Sequence, residues 1–339
     1  MNWQPSDAVR EVLEKPILVI GAGSIGQRHI RNLLELGAND VYIYDQDEPM
    51  AIDWLHRQDK LNGAKVLGTR GMGTVWQTLR QFAIHPVAAI ICTPTQTHIV
   101  DILDCIAAGV NALFIEKPLC NYAAFETDTK PLEEIKTFVA CNFRFTQGLQ
   151  CVKKLIDDGA IGKVVSARAQ FGQYLPDMRP GTDHRKTYAA NRSMGGGCLL
   201  DGIHEFDYLS WLLGPIAEAK AYTARLTDVT NDTEDVAEAI LHFESGALGS
   251  VHEDYLLPGY ERRLELWCTN AKLCWGYEAY RKYEYVAAVD GFVEFHPDVN
   301  DMYLAEMQHF LRVCAGEEKS CNTVADAYRL LEVVLKARE

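Results

Sequence analysis

Residues Pro16 to Gly37 read as strand, turn and helix with little room for another interpretation. "PILVI" is apolar throughout, "GAGSIG" follows at once, and "SIGQRHIRNLLELG" has helical periodicity with a closing glycine. Gly21, Gly23 and Gly26 stand in G-x-G-x-x-G spacing. Between a buried strand and a helix, that spacing has mechanical meaning. Gly21 permits the tight turn, Gly23 lets a diphosphate approach the backbone, and Gly26 lets helix and strand pack closely. The new helix begins at Ser24 and Ile25, and its first N–H groups and dipole face the phosphates. Asp45 ends the next strand-like run, "DVYIYD", nineteen residues after Gly26. A carboxylate there accepts hydrogen bonds from the adenosine ribose and repels a 2′-phosphate. Asp47 and Glu48 follow it with no arginine among them. The expected cofactor is NAD rather than NADP.

The same alternation continues through "VAAIICTP", the helical "TQTHIVDILDCIAAGV", "NALFIEKP" and "KTFVACNFRF". Repeated strand–helix units imply a parallel sheet covered by helices on both faces. After Phe145 the pattern changes. The helical "TQGLQCVKKLIDDGA" precedes a series of longer strand-like runs: "IGKVVSARAQFGQYL", "AEAKAYTARL", "VAEAILHFESG", "ALGSVHEDYLL" and "RRLELWCTNAKLCWGY". Consecutive strands without intervening helices point to a mostly antiparallel sheet. The last segment is helical, with Tyr303, Met307, Phe310, Leu311 and Cys314 on one face and Leu330, Leu331, Val334 and Leu335 on another. The reading is an α/β chain of two domains. Residues 1–142 form a doubly wound Rossmann domain. Residues 143–339 form a substrate-binding and oligomerisation domain, whose terminal helix has the option of packing back on the first.

The 339-residue length is enough for two cores, and the net charge of −14 disfavours nonspecific binding to nucleic acid or anionic membrane. Ten scattered cysteines without C-x-x-C pairs argue against a zinc site and for reduced thiols in the cytoplasm. The N-terminus lacks a signal-peptide core, and no apolar run is long enough to cross a bilayer.

Three further stretches carry candidate chemistry. "CTPTQTH" follows a strand at the edge where an open α/β sheet binds its ligand, so Thr93, Pro94, Thr95 and His98 are candidate cofactor contacts. Thr95 or Thr97 is a candidate cap for the next helix. "FIEKPL" places Glu116 and Lys117 at the end of another strand. "GGGCLLDGIHEFDYLSWLLG" puts Asp201 and His204 one helical turn apart behind three glycines. A histidine exchanges a proton near neutral pH, an acid orients it, and a lysine stabilises developing oxyanion charge. Each stretch also has a plain structural explanation: a turn and cap, a solvated lysine, a satisfied polar pair in a core helix. Asp207 and Tyr208 fit ordinary helix positions equally well. Arg185 and Tyr188 in "DHRKTY", and Arg144 in "CNFRF", are candidate substrate contacts. A solvated loop and a structural ion pair explain the same residues.

Taken in order, the glycine fingerprint, "CTPTQTH", "EKP", "CNFRF" and the glycine-led Asp–His helix resemble the Gfo/Idh/MocA family of NAD(P)-dependent oxidoreductases. The resemblance runs from about Pro16 to the C-terminus. It implies a Rossmann domain followed by an α/β domain with an open-faced antiparallel sheet, often the subunit interface, hence a homodimer or homotetramer. It implies that Lys117 lies beside nicotinamide and substrate, faced by Asp201 and His204. The usual D-x-G-x-H spacing is one residue longer than "DGIH" here. "LLDGIHEFDYLSWLLG" and "FGQYLPDMRPGTDHRKTY" look like a branch associated with surface-sugar biosynthesis, but depart from it at Gly202 and Ile203. The expected activity is an NAD-dependent dehydrogenase acting on a secondary hydroxyl of a sugar, sugar derivative or cyclitol, without a metal. The alternatives are an enzyme using NAD redox transiently for net hydrolysis or elimination, and a noncatalytic NAD-binding sensor.

Overall fold

A computed structural model describes residues 3–58, 61–67, 74–121, 132, 134–288 and 291–338. The chain divides into two compact units. The first comprises the chain to Cys120, the strand segment to Ala140, and Tyr303–Ala327. The second comprises Cys141–Met302 and the chain from Tyr328 onward.

The first unit is built on six parallel strands: β1 (Ile17–Ile20), β2 (Val41–Tyr44), β3 (Ala64–Val66), β4 (Ala88–Ile91), β5 (Ala112–Ile115) and β6 (Lys136–Val139). Their order is β3-β2-β1-β4-β5-β6. Every residue of β1, β4 and β5 is buried, as befits strands covered on both faces. The helix after β1, α2 (Ser24–Glu35), buries Gly26, His29, Ile30 and Leu33, a single stripe at helical spacing. It follows α1 (Asp7–Leu13), whose N-cap Ser6 accepts from the Val9 N–H. The chain returns to this unit through most of the helix Val299–Ala315. Phe310 of that helix meets Phe114 of β5 edge-on, ring centres 5.5 Å apart.

The second unit is an eight-stranded sheet in the order β14-β13-β12-β11-β7-β10-β9-β8. Its strands are β7 (Val164–Gln173), β8 (Ile216–Ala224), β9 (Val236–Phe243), β10 (Leu248–Asp254), β11 (Tyr260–Cys268), β12 (Lys272–Glu278), β13 (Tyr283–Ala288) and β14 (Gly291–Phe295). All pairings are antiparallel except β7 with β10. Alternation sorts the faces: Ala237, Ala239, Leu241 and Phe243 of β9 point inward, whereas Ile240 is exposed on the other side.

Three local expectations are corrected. "RRLELWCTNAKLCWGY" is not one strand but a hairpin, β11 and β12, turning at Thr269–Asn270. "KTFVACNFRF" stops being strand at Val139, and Asn142–Phe145 is a 3₁₀ turn. The glycine-led helix is two helices, Cys198–Asp201 and Ile203–Leu213, broken at Gly202 with ψ +20°. A Cβ on Gly202 would lie 2.4 Å from the carboxyl carbon of buried Glu253, so this approach of strand β10 requires glycine.

Candidate active site

In the first unit, β1, β4 and β5 are adjacent parallel strands, so the segments after them emerge at one edge of the sheet. These segments carry the glycine turn, Thr93–His98 and Glu116–Lys117. The turn is formed by close approach. Gly21 has φ +90°, and a Cβ there would sit 2.9 Å from Cys92 and Thr93 backbone atoms. A Cβ on Gly26 would lie 1.9 Å from the Gly21 carbonyl oxygen. Above Gly23 nothing lies within 4 Å of the same construction. The N-cap of α2 is Gly23 itself, with no side chain closing the helix end; Ser24 is exposed and Ile25 half-buried just behind it. A cradle with glycines packed below and open space above fits a dinucleotide diphosphate.

Asp45 is part of that cradle. Its Oδ2 accepts the Ala22 N–H at 2.6 Å and its Oδ1 accepts the Asp47 N–H at 2.8 Å. Each carboxylate oxygen keeps a second lone pair, so Asp45 has room to accept further hydrogen bonds.

Thr95 and Thr97 do not cap the following helix. Thr95–Thr97 is a 3₁₀ turn, the Thr97 hydroxyl donates back to the Pro94 carbonyl, and the helix His98–Ala107 begins without a side-chain cap. Pro94 is exposed and Thr95 buried, while the Thr93 hydroxyl donates to Asp101. His98 is buried between two carbonyl oxygens, Thr93 O at 2.9 Å from Nε2 and Pro118 O at 3.0 Å from Nδ1. Burial lowers its pKa and keeps it neutral, so it donates to one of the two. The ring is packed between the Thr93 and Lys117–Pro118 segments. Both Glu116 and Lys117 are half-buried. Glu116 Oε1 lies 2.8 Å from His29 Nε2, and its Oε2 accepts the Lys117 backbone N–H at 3.3 Å.

In the second unit, Asp201 ends one helix and His204 opens the next. Asp201 accepts the Tyr188 hydroxyl on Oδ1 and the Tyr255 hydroxyl on Oδ2, the latter at 3.2 Å. Burial, then the Asp201 charge, pushes the Tyr255 phenol well up, so it remains a donor. His204 is 8% exposed, its ring edge-on to Phe143 at 5.0 Å. The glycine run serves packing: a Cβ on Gly196 would meet the Tyr188 carbonyl at 2.1 Å, and one on Gly197 the Glu234 carboxylate at 2.2 Å. These contacts seat Tyr188 against the helix that ends in Asp201.

Of the two roles open to Arg144, substrate contact and structural ion pair, the structure shows an ion pair. It is buried and forks onto Asp207, Nε to Oδ2 at 2.8 Å and Nη2 to Oδ1 at 2.6 Å. This bidentate pair joins the Asn142–Phe145 turn to the Ile203–Leu213 helix and occupies the carboxylate-binding edge of the guanidinium. Arg185 is exposed and donates to the Asp228 carbonyl at 3.0 Å. Among the described residues, no group of three or more His, Cys, Asp or Glu side chains is placed to hold a metal ion. Nor is any described helix long and apolar enough to cross a membrane.

Two family models match this chain. Residues 15–140 match an oxidoreductase family with an NAD-binding Rossmann fold, and residues 149–274 match the GFO/IDH/MocA C-terminal domain. The chain belongs to the GFO/IDH/MocA oxidoreductase family. Its first unit is an NAD-binding Rossmann domain. Myo-inositol 2-dehydrogenase of Thermotoga maritima is 28% identical over 268 residues, 75% of this chain and 73% of that protein. A 2,7-anhydro-N-acetylneuraminate hydratase of Mediterraneibacter gnavus is 31% identical over 142 residues, 40% of this chain and 36% of that protein. A solved structure of levoglucosan dehydrogenase with NADH and L-sorbose shares the fold, with TM-score 0.80 and 19% identity across 96% of each chain.

Within this GFO/IDH/MocA chain, sequence reasoning missed two residues. Tyr255 lies just beyond β10, far from Asp201 in sequence, and nothing in its local pattern marks it. Arg179 lies with its guanidinium 5.5 Å from the Tyr188 ring centre. Its place in the polar segment that includes Arg185 was the available signal.

Proposed function

We propose that this chain is an NAD-dependent dehydrogenase acting on a secondary hydroxyl, or the matching ketone, of a sugar, sugar derivative or cyclitol. The observation that carries the reading is the single sheet edge of the first unit, where the glycine cradle follows β1 and Lys117 follows β5, on either side of β4. The inositol dehydrogenase relative supports the substrate class. NAD, when bound, exchanges hydride with the substrate carbon. Gly21, Gly23, Ser24, Ile25 and Gly26 hold its diphosphate, Asp45 its ribose, and Thr93–Thr95 line the same edge.

The chain's own side chains manage the proton. In our reading His204 takes the hydroxyl proton in oxidation and returns it in reduction. Lys117 stabilises the negative charge that develops on the substrate oxygen. Asp201, held by two tyrosine hydroxyls, orients this end of the site or accepts a further substrate hydroxyl. Arg185 and Tyr188 are candidate substrate contacts.

The fit to a homodimer or homotetramer rests on the second face of the eight-stranded sheet, where Tyr222, Ile240, Leu248, Trp267 and Phe292 are exposed. The free cysteines fit a reducing cytosol.

A second reading, transient NAD redox serving a net hydration or elimination, is favoured by the hydratase relative. A panel of inositols, anhydrosugars and uronates, incubated with NAD+ and followed by NADH absorbance, separates the two. The dehydrogenase reading predicts net NADH formation, lost at least about a hundredfold in Lys117→Ala and His204→Ala. Substrate turnover with no net NADH would move the assignment to the second reading.

A further inference from the structure

Glu116 is joined to a histidine that the proposed chemistry does not use. His29 is fully buried on α2, three residues beyond Gly26 on the same stripe. Its Nε2 lies 2.8 Å from Glu116 Oε1, and its Nδ1 has no hydrogen-bond partner. The proton must therefore sit on Nε2, which donates to the carboxylate. The ring is wedged edge-on between Phe114 of β5, at 4.8 Å, and Tyr303, at 6.2 Å. Arg28 covers the other ring, its guanidinium 4.4 Å from the Tyr303 centre. An imidazole clamped in this way has one rotamer and one acceptor.

The acceptor carries the fixed position onward. Glu116 Oε2 accepts the backbone N–H of Lys117, so one carboxylate bridges α2 to the lysine's own peptide. Glu116 and Lys117 follow directly on β5, which ends at Ile115. Pinning the Glu116 carboxylate to the helix and the Lys117 N–H to that carboxylate constrains the direction in which the lysine side chain leaves the backbone. We propose that His29 is a positioning residue for Lys117. It acts through Glu116, so that the helix cradling the dinucleotide diphosphate also aims the reacting lysine. The inference rests on the reading of Lys117 as the oxyanion partner.

The test compares His29→Leu, which keeps bulk and removes the donor, with His29→Gln, which keeps an N–H at similar reach. His29→Leu should lower kcat by about ten- to a hundredfold, the usual cost of a misaimed reacting group. Substrate KM and the NADH dissociation constant should stay within about threefold of wild type, and His29→Gln should restore most of kcat. Reductively ¹³C-methylated protein supplies a readout independent of turnover. The Lys117 resonance, assigned by its loss in Lys117→Arg, should be displaced in His29→Leu and near wild type in His29→Gln. Should His29→Leu fail to fold, Glu116→Ala is expected to reproduce the loss and Glu116→Gln to spare most of it. Wild-type kcat and an unmoved resonance in His29→Leu would overturn the proposal. So would equal loss of kcat, NADH binding and thermal stability in both His29 variants. Full turnover in Lys117→Ala would instead remove the role given to the lysine, a separate failure.

Discussion

Asp201 is held at both oxygens by phenols, Tyr188 from the loop before the glycine run and Tyr255 from the end of β10. Two donors on one carboxylate hold its plane. If Asp201 orients the site, removing one donor should be felt in catalysis before it is felt in folding. Tyr255→Phe keeps the buried ring and deletes one hydrogen bond to a charged group. Such a bond is worth about 1.5–3 kcal/mol. The expected result is a fall of about tenfold or more in kcat/KM, with Tyr188→Phe similar in direction. A variant that melts earlier but keeps wild-type kcat/KM would show that the pair only supports the fold. Tyr188 was legible from its segment, Tyr255 was not, because a contact between a strand end and a helix end leaves no periodic trace. Arg144 had the opposite fate. Its sequence context suited either a substrate or an ion pair, and only the position of Asp207 on the next helix face decides for the pair.

The elements follow their patterns where one residue period dominates. The Rossmann strands and α2 were legible because glycine spacing and uninterrupted apolar runs leave few alternatives. The break at Gly202 was hidden, because "LLDGIHEFDYL" has helical periodicity on both sides, and the Glu253 carboxylate that lies against Gly202 comes from a strand some fifty residues away. Threonine caps were misjudged, because a 3₁₀ turn consumed the residues meant for capping. Within the sheet, β9 and β10 place Glu238 directly across from His252, and Asp254 reaches the other ring nitrogen. The hydrogen bond that His252 donates to Asp254, with Glu238 adding to it, raises the His252 pKa to about 9 against the cost of partial burial. A histidine whose pKa is raised by folding stabilises fully below its unfolded value near 6.5 and loses that contribution as pH rises through about 9. The difference in melting temperature between wild type and His252→Gln should therefore be largest near pH 6 and vanish by about pH 10. A difference that grows with pH would contradict the sign.

On the scale of the molecule, a chain of net charge −14 recruits an anionic cofactor through local geometry rather than through its overall field. The glycine turn, the α2 N-terminus and Asp45 lie together within the first unit, and the proposed function gives Asp45 the choice between the two dinucleotides. The second unit supplies Asp201, His204 and their tyrosines, together with the sheet face proposed for self-association. The two family models match one segment in each unit, residues 15–140 and 149–274. The central claim is that this is an NAD-dependent enzyme, and the most direct measurement is a calorimetric titration of the purified chain with NADH and NADPH. The account predicts NADH binding at least about tenfold tighter than NADPH, because the Asp45 carboxylate meets a ribose hydroxyl in one and a phosphate in the other. Binding of neither dinucleotide, or NADPH binding as tightly as NADH, would contradict it.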